Sequence, residues 1–81
     1  MDTDTFISYP RYIEGVEVAL LFKEVEEGLT RVSMRSRRVD VAKIALSFGG
    51  GGHAKAAGCS VHKPLAEARE EVLAVVEAVL S

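Results

Sequence analysis

The sequence has no tryptophan, one cysteine and only five aromatic residues among 81. A single cysteine rules out an internal disulfide and favours a reducing, cytoplasmic setting. No apolar run approaches the roughly 20 residues that a membrane-spanning helix needs, and no signal peptide is visible at the N-terminus. The few aromatic residues also argue against a surface that stacks a long single strand of nucleic acid on successive rings.

The composition is that of one small globular domain in which charge is unevenly distributed. Hydrophobic residues make up 48% and charged residues 27%, which is typical of a folded chain. The net charge is −2, yet residues 31–63 hold seven cations and one acid, a local charge of +6. The remaining residues hold three cations and eleven acids, or −8. Such patterning can concentrate an anion on one face, and a solvated charged surface is the alternative.

Hydrophobic periodicity predicts an α/β domain with a small mixed β-sheet, consisting of an antiparallel hairpin and a further strand, covered by helices. Residues 1–15 are poorly patterned and are interpreted as a lead-in or linker segment, and residues 16–81 as the domain itself. The elements predicted within the domain are strands over residues 16–22, 29–37 and 56–61 and helices over residues 40–48 and from Pro64 onward.

The first predicted helix has clear start and stop signals. Asp40 is a good N-cap because its carboxylate can accept the unpaired N–H groups of the first turn, and Gly49 stands where a glycine commonly ends a helix. A buried stripe is predicted at Val41, Ile44, Ala45 and Phe48. The second helix has a predicted core face at Leu65, Ala68, Val72, Val75, Val76 and Val79.

The second predicted strand carries two different faces, because successive side chains of a strand point to opposite sides of the sheet. Its even positions are mostly apolar, and its odd positions carry guanidinium and hydroxyl groups: Arg31, Ser33, Arg35 and Arg37. A guanidinium fork suits a planar or tetrahedral oxyanion better than an ammonium group does. This face is therefore a candidate anion site, and ordinary surface arginine is the alternative.

Four consecutive glycines, Gly49 to Gly52, precede His53. They cost backbone entropy, which favours either an anion-binding loop with accessible N–H groups or a flexible loop. The run is not a P-loop, because Lys55 lacks the required neighbours, and it does not follow a first strand as a dinucleotide fingerprint does. A zinc site using His53, Cys59 and His62 is disfavoured, since the last two have opposite strand parity. Cys59 is predicted to be a small buried side chain.

The segments GVEVALLFKE and RVSMRSRRVDVAKIALSFGGGGHAKAAGCSV resemble the DHH-associated domain found at the C-terminus of DHH-family phosphoesterases. The similarity covers about residues 9–80, and GGGGH followed by AAG is its most specific motif. Within the family, the chain is most similar to the bifunctional oligoribonucleases that also remove a phosphate from 3′-phosphoadenosine 5′-phosphate.

The resemblance implies a substrate-binding domain for nucleotide phosphate or short single-stranded nucleic acid. Carried over by motif, the residues that would contact phosphate and sugar are Arg35, Ser36, Arg37, Gly50, Gly51, Gly52 and His53. The resemblance implies no cofactor and no metal in this chain, because the family's manganese ions are held by a separate N-terminal DHH domain. The chain is therefore expected to be a fragment that is inactive alone, with that DHH domain as its partner and a homodimer as an open alternative.

Two other functions remain open at this stage. One is a general single-stranded nucleic-acid-binding domain of an exonuclease from the same superfamily. The other is a purely dimerising domain, which would leave the costly glycines unexplained.

Overall fold

A computed structural model describes residues 3–11, 16–37 and 39–80 of the chain. Five strands and two helices follow in the order β1 (Thr3–Arg11), β2 (Val16–Glu26), β3 (Leu29–Ser36), α1 (Val41–Leu46), β4 (Gly51–His53), β5 (Ala56–Val61) and α2 (Leu65–Leu80). The strands form one sheet in the order β1-β2-β3-β5-β4. Among the described residues, no helix combines the length and apolar character needed to cross a membrane.

The predicted α/β class is confirmed, and the sheet differs from the prediction in one detail. Every pairing between the described strands is antiparallel, whereas a mixed sheet was expected. The reason is β4, which the sequence analysis did not predict. It forms a hairpin with β5, so β5 returns antiparallel to β3.

The segment before Val16 also differs from the sequence analysis, which predicted no strand there. Thr3–Arg11 forms β1 and pairs with β2 along its length, from Thr3 opposite Glu24 to Arg11 opposite Val16. β1 lies at the edge of the sheet, where a proline such as Pro10 is tolerated because it removes a donor that no further strand needs. The interpretation of residues 1–15 as a linker stays a prediction.

Both helices pack on one face of the sheet and form a single core with it. Phe22, Leu20 and Met34 are among the largest fully buried side chains. On the helices, Val41, Ile44 and Ala45 of α1 are buried as predicted, and Phe48 packs against the same cluster as a partly buried residue. The buried residues of α2 are Ala68, Val72, Val76 and Leu80.

The core face of α2 differs from the prediction at Val79. Its side chain is 44% exposed, and Leu80 is buried instead. The residues that face the core are spaced four apart from Ala68 to Leu80, which matches the helical repeat. Val75, three residues after Val72, packs only partly against the core.

The helix starts and the hairpin turn are fixed by local contacts. Asp40 accepts a hydrogen bond from Ala42 N at 3.0 Å, which confirms the predicted N-cap. Gly49 follows α1 with φ +79°, and Gly28 closes the β2–β3 turn with φ +77°, both in the left-handed region that glycine adopts at little cost. The buried carboxylate of Glu24 accepts from Gly28 N and from Leu65 N, at 3.2 and 3.1 Å, and so joins the hairpin turn to the start of α2.

Candidate functional site

The face of the sheet opposite the helices is open along β3. The burial of residues in β3 alternates, with Val32, Met34 and Ser36 buried and Arg31, Ser33 and Arg35 exposed. This alternation confirms the two faces predicted from the strand sequence. This uncovered surface is here called the open face. Its residues on β5 are small, among them Ala56, Gly58 and Ser60.

Strand register brings Arg35 and His53 onto the same face. Arg35 pairs with Ala56 across β3 and β5, and Ala56 pairs with His53 across β5 and β4. Directly opposed residues share a face, so the three form one row across the sheet. Two strand spacings separate Arg35 from His53, about 10 Å, and only the methyl group of Ala56 stands between them.

The tight turn between β4 and β5 is anchored beside the end of β3. Ser36 N donates to Lys55 O at 3.1 Å, and Val41 N donates to Ala54 O at 2.9 Å. These bonds join the turn both to the end of the arginine-bearing strand and to the start of α1. The turn therefore holds a fixed position relative to Arg35 and Arg37.

A cavity of about 280 Å³ opens at this end of the sheet, lined by Ala19, Arg35, Ser36, Arg37 and Lys55. Of the five described residues that line it, three are cations and none is an acid. Lys55 was not among the predicted site residues. Its position two residues after His53 in a short turn is the signal that could have identified it, once the β4–β5 hairpin was recognised.

Ser36 lies on the opposite side of the strand from Arg35. It is buried, and its hydroxyl oxygen accepts a hydrogen bond from Val39 N at 2.8 Å. Its backbone N–H donates to Lys55 O. In this structure Ser36 shapes the connection from β3 to α1, while also forming part of the cavity wall beside Arg37.

Three of the four glycines have a structural reason to be glycine. Gly49 has a positive φ. At Gly50 a Cβ would lie 2.2 Å from Gly58 O, and at Gly52 (φ +143°) it would lie 2.6 Å from the Ala57 Cα. At Gly51 a Cβ would meet nothing within 4 Å, so the fold itself does not require glycine at this position.

The backbone N–H groups of the first two glycines are already used by α1. Gly49 N donates to Leu46 O at 3.1 Å, and Gly50 N donates to Ala45 O at 2.8 Å. They satisfy helix carbonyls that would otherwise lack a partner. Of the predicted anion-binding glycines, Gly50 therefore contributes by close packing against β5, and Gly51 and Gly52 lie in the edge strand beside His53.

Within the described part of the chain, the side chains of Arg35 and His53 on the open face have no internal partner. Neither Arg35 nor His53 forms a side-chain hydrogen bond or ion pair with another residue that the structure describes. The ion pair found in the described part of the chain joins Lys63 to Glu71 of α2 instead. That bond raises the pKa of Lys63 above its usual value. The positive charge of Arg35 thus remains available to an external anion.

The described ranges contain no group of three or more His, Cys, Asp or Glu side chains that could hold a metal ion. The residues considered for zinc are separated, since Cys59 is buried on the core side and His62 is exposed. Burial raises the pKa of the Cys59 thiol to about 11, so the sulfur remains protonated near neutral pH. Cys59 is a small buried side chain, as predicted.

Comparison with known proteins identifies the domain. The family model described as DHHA1 domain matches residues 2–81. "Bifunctional oligoribonuclease and PAP phosphatase NrnA" of Thermus thermophilus is 44% identical over 77 residues, which cover 93% of this chain and 24% of that protein. "Oligoribonuclease NrnB" of Bacillus subtilis is 56% identical over 36 residues, or 42% of this chain and 9% of that protein.

The chain thus spans about a quarter of the first of these relatives and a tenth of the second. The family match covers nearly every residue of the chain, including the strand β1 that precedes the most specific motif. The chain therefore belongs to the DHHA1 domain family.

Proposed function

We propose that this domain binds nucleotide phosphate, or the end of a short single-stranded nucleic acid, on its open face. It serves as the substrate-binding part of a manganese-dependent DHH-family phosphoesterase that hydrolyses short oligoribonucleotides and 3′-phosphoadenosine 5′-phosphate. Family membership and the names of the oligoribonuclease relatives support this proposal. The whole chain acts in the reducing cytoplasm, which suits its single buried thiol.

The row formed by Arg35, Ala56 and His53 is the observation that carries the proposal. It presents a guanidinium and an imidazole on one exposed surface, with a methyl group between them that leaves room for a ligand. Hydrogen bonds to a charged group contribute about 1.5–3 kcal/mol each. Two such bonds would hold a phosphate without first breaking a hydrogen bond or ion pair of Arg35 or His53 to another described residue.

The remaining site residues have different parts in the proposal. Arg37 and the newly identified Lys55 supply further positive charge in the adjacent cavity. Gly51 and Gly52 have no side chains, so a sugar can approach the backbone of the edge strand beside His53. Ser36 and Gly50 position these groups through the contacts they make inside the domain.

The chemical step belongs to another part of the parent enzyme. The described residues of this domain do not fit a manganese site. Hydrolysis by two metal ions requires ligands that the N-terminal DHH domain would supply as the partner of this chain. The domain's own task is to hold the phosphate in place while the reaction proceeds there.

The proposal is tested by titrating the domain with adenosine 3′,5′-bisphosphate while amide shifts are followed by NMR. We expect Arg35→Ala and His53→Ala each to weaken binding about tenfold or more, with added salt weakening the wild type. Arg69→Ala is the matched control, because this exposed arginine lies on α2, which packs on the covered face. Equal affinity for all four proteins would contradict the proposed site.

A general single-stranded nucleic-acid-binding domain is the second candidate. Such surfaces use aromatic rings as stacking platforms, and the two aromatic side chains that the structure describes are buried or partly buried, namely Phe22 and Phe48. This observation favours a short ligand held by its phosphate over a long strand. The homodimer stays a prediction, and sedimentation of the domain tests it.

A further inference from the structure

A larger cavity of about 640 Å³ borders the open face at the Arg31 end of β3, and its described lining does not include Arg35 or Lys55. Its polar wall consists of Arg31, Ser33, Ser60 and His62, and Phe48 and Gly58 are among its other lining residues. Arg31 and Ser33 belong to the strand face predicted as a candidate anion site, and Gly50, a predicted site residue, also lines the cavity. Ser60 and His62 were not predicted to bind substrate. The volume falls in the range of about 300–1,000 Å³ that small-molecule pockets occupy.

Register explains why these polar groups meet. Arg31 pairs with Ser60, and Ser33 pairs with Gly58, across β3 and β5. Both pairs lie on the face that also carries Arg35, because the three β3 residues are two positions apart. His62 follows β5 two residues after Ser60 and is exposed, so it continues the same face.

The edge of β5 supplies a further wall. β4 pairs only with residues 56–58 of β5, so residues 59–61 have no second strand partner within the described chain. A strand edge without a partner presents backbone N–H and C=O groups. Phe48 and Gly49, in the connection from α1 to β4, border the same opening.

We propose that this cavity is a second nucleotide subsite, in which Arg31 and His62 bind the phosphate of a nucleotide adjacent to the one at Arg35. The lining residues include a guanidinium, an imidazole and two hydroxyl donors but no acid, which suits a phosphate and opposes a cation. The volume exceeds what a lone phosphate needs and accommodates a base and sugar as well. The β5 edge offers hydrogen-bonding groups to the edge of that base.

The two subsites define one ligand path along β3. Arg31 and Arg35 are four residues apart on the strand, or about 13 Å, with Ser33 between them on the same face. A ligand with two nucleotide units can engage both arginines, while a mononucleotide engages one. This inference rests on the proposed function, and it goes further by assigning Arg31 and His62 to the second nucleotide of the ligand.

The test compares adenosine 5′-monophosphate with the 5′-phosphorylated dinucleotide pApA by NMR titration of the intact chain. We expect pApA to bind about tenfold more tightly. Arg31→Ala or His62→Ala should remove most of that advantage and leave the affinity for the mononucleotide unchanged. Lys23→Ala is the matched control, because Lys23 pairs with Arg31 in β2 but is not among the residues that line the cavity.

The outcomes separate this inference from the proposed function. If both ligands bind equally well and Arg31→Ala changes neither affinity, the second subsite is refuted while the Arg35 site stands. If Arg31→Ala weakens both ligands equally, a single site contains Arg31 and the assignment of two subsites is wrong. If neither ligand shifts any amide of the wild-type chain, both proposals fail. Melting temperatures of both variants exclude loss of folding as the cause.

Discussion

The covered and open faces of the sheet are built from alternate residues of the same strands, yet they contribute differently to the protein. On the covered face, Val32 and Met34 are at most 2% exposed and belong to the core cluster that contains residues of both helices. On the open face, Arg31 and Arg35 are exposed and form no side-chain hydrogen bond or ion pair with residues that the structure describes. The comparison indicates that one face supplies the stability of the domain and that the other is available for binding.

The largest expected effect separates the two faces at neighbouring positions. Met34→Ala should lower the free energy of unfolding by about 2–5 kcal/mol, because it leaves a cavity in the core. Ser33→Ala, one residue away on the open face, should change it by no more than about 0.5 kcal/mol. Urea denaturation of both variants measures the difference. Similar losses for the two variants would show that the open face is also part of the stabilising structure.

The glycines provide a sharper version of the same comparison. A Cβ at Gly50 would overlap the backbone oxygen of Gly58, whereas at Gly51 it would meet nothing. Gly50→Ala should therefore cost about 1–3 kcal/mol of stability, and Gly51→Ala should cost almost none. Thermal melts of the two variants measure this. A Gly51→Ala variant as unstable as Gly50→Ala would contradict the assignment of Gly51 to the open face.

Substitution of Glu24 tests how far the stability of the domain depends on a buried polar group. Its carboxylate accepts from Gly28 N and Leu65 N, and glutamine provides only one acceptor oxygen for two donors. Glu24→Gln should cost about 1–3 kcal/mol. Glu26→Gln is the control, because Glu26 is exposed at the end of the same strand. Equal stability of the two variants in urea would show that the hydrogen bonds of the Glu24 carboxylate do not stabilise the fold.

The last prediction is a pH dependence from the covered face. Burial raises the pKa of the Cys59 thiol from 9.0 to about 11. The thiol of the unfolded chain therefore ionises first as pH rises. The contribution of this group to stability is complete below about pH 9 and is lost as the pH rises toward about 11. A comparison of wild type with Cys59→Ala across this range measures it; identical pH profiles would contradict a buried thiol.

The sequence predicted those features that depend on a repeating pattern or a local signal. The alternation of β3 identified both faces, because mostly apolar side chains alternate there with guanidinium and hydroxyl groups. Asp40 marked the start of α1 through capping chemistry that acts within a few residues, whereas α1 ends at Leu46 with Ser47 as its C-cap, before the end predicted at Phe48 and Gly49. The prediction that Val79 is buried was wrong, because an apolar residue near a helix end fits the hydrophobic pattern whether or not it packs against the core.

The strands β1 and β4 could not be found in this way. Pro10 disfavours an interior strand, but β1 is an edge strand, and its place at the edge follows from the packing of the whole sheet. Glycine has little strand preference, so Gly51–His53 gave no sign of pairing with β5. Without β4 the sequence could not indicate that the β4–β5 turn brings Lys55 beside Arg37, or that β5 has an open edge beyond Gly58.

The most direct test of the account is the map of amide shifts produced by adenosine 3′,5′-bisphosphate on the ¹⁵N-labelled domain. Binding on the open face predicts the largest shifts at Arg35, Arg37, His53 and Lys55, with little change along residues 68–80 of α2. Shifts confined to α2, with none at the β4–β5 turn, would contradict the claim that the uncovered side of the sheet is the side that binds.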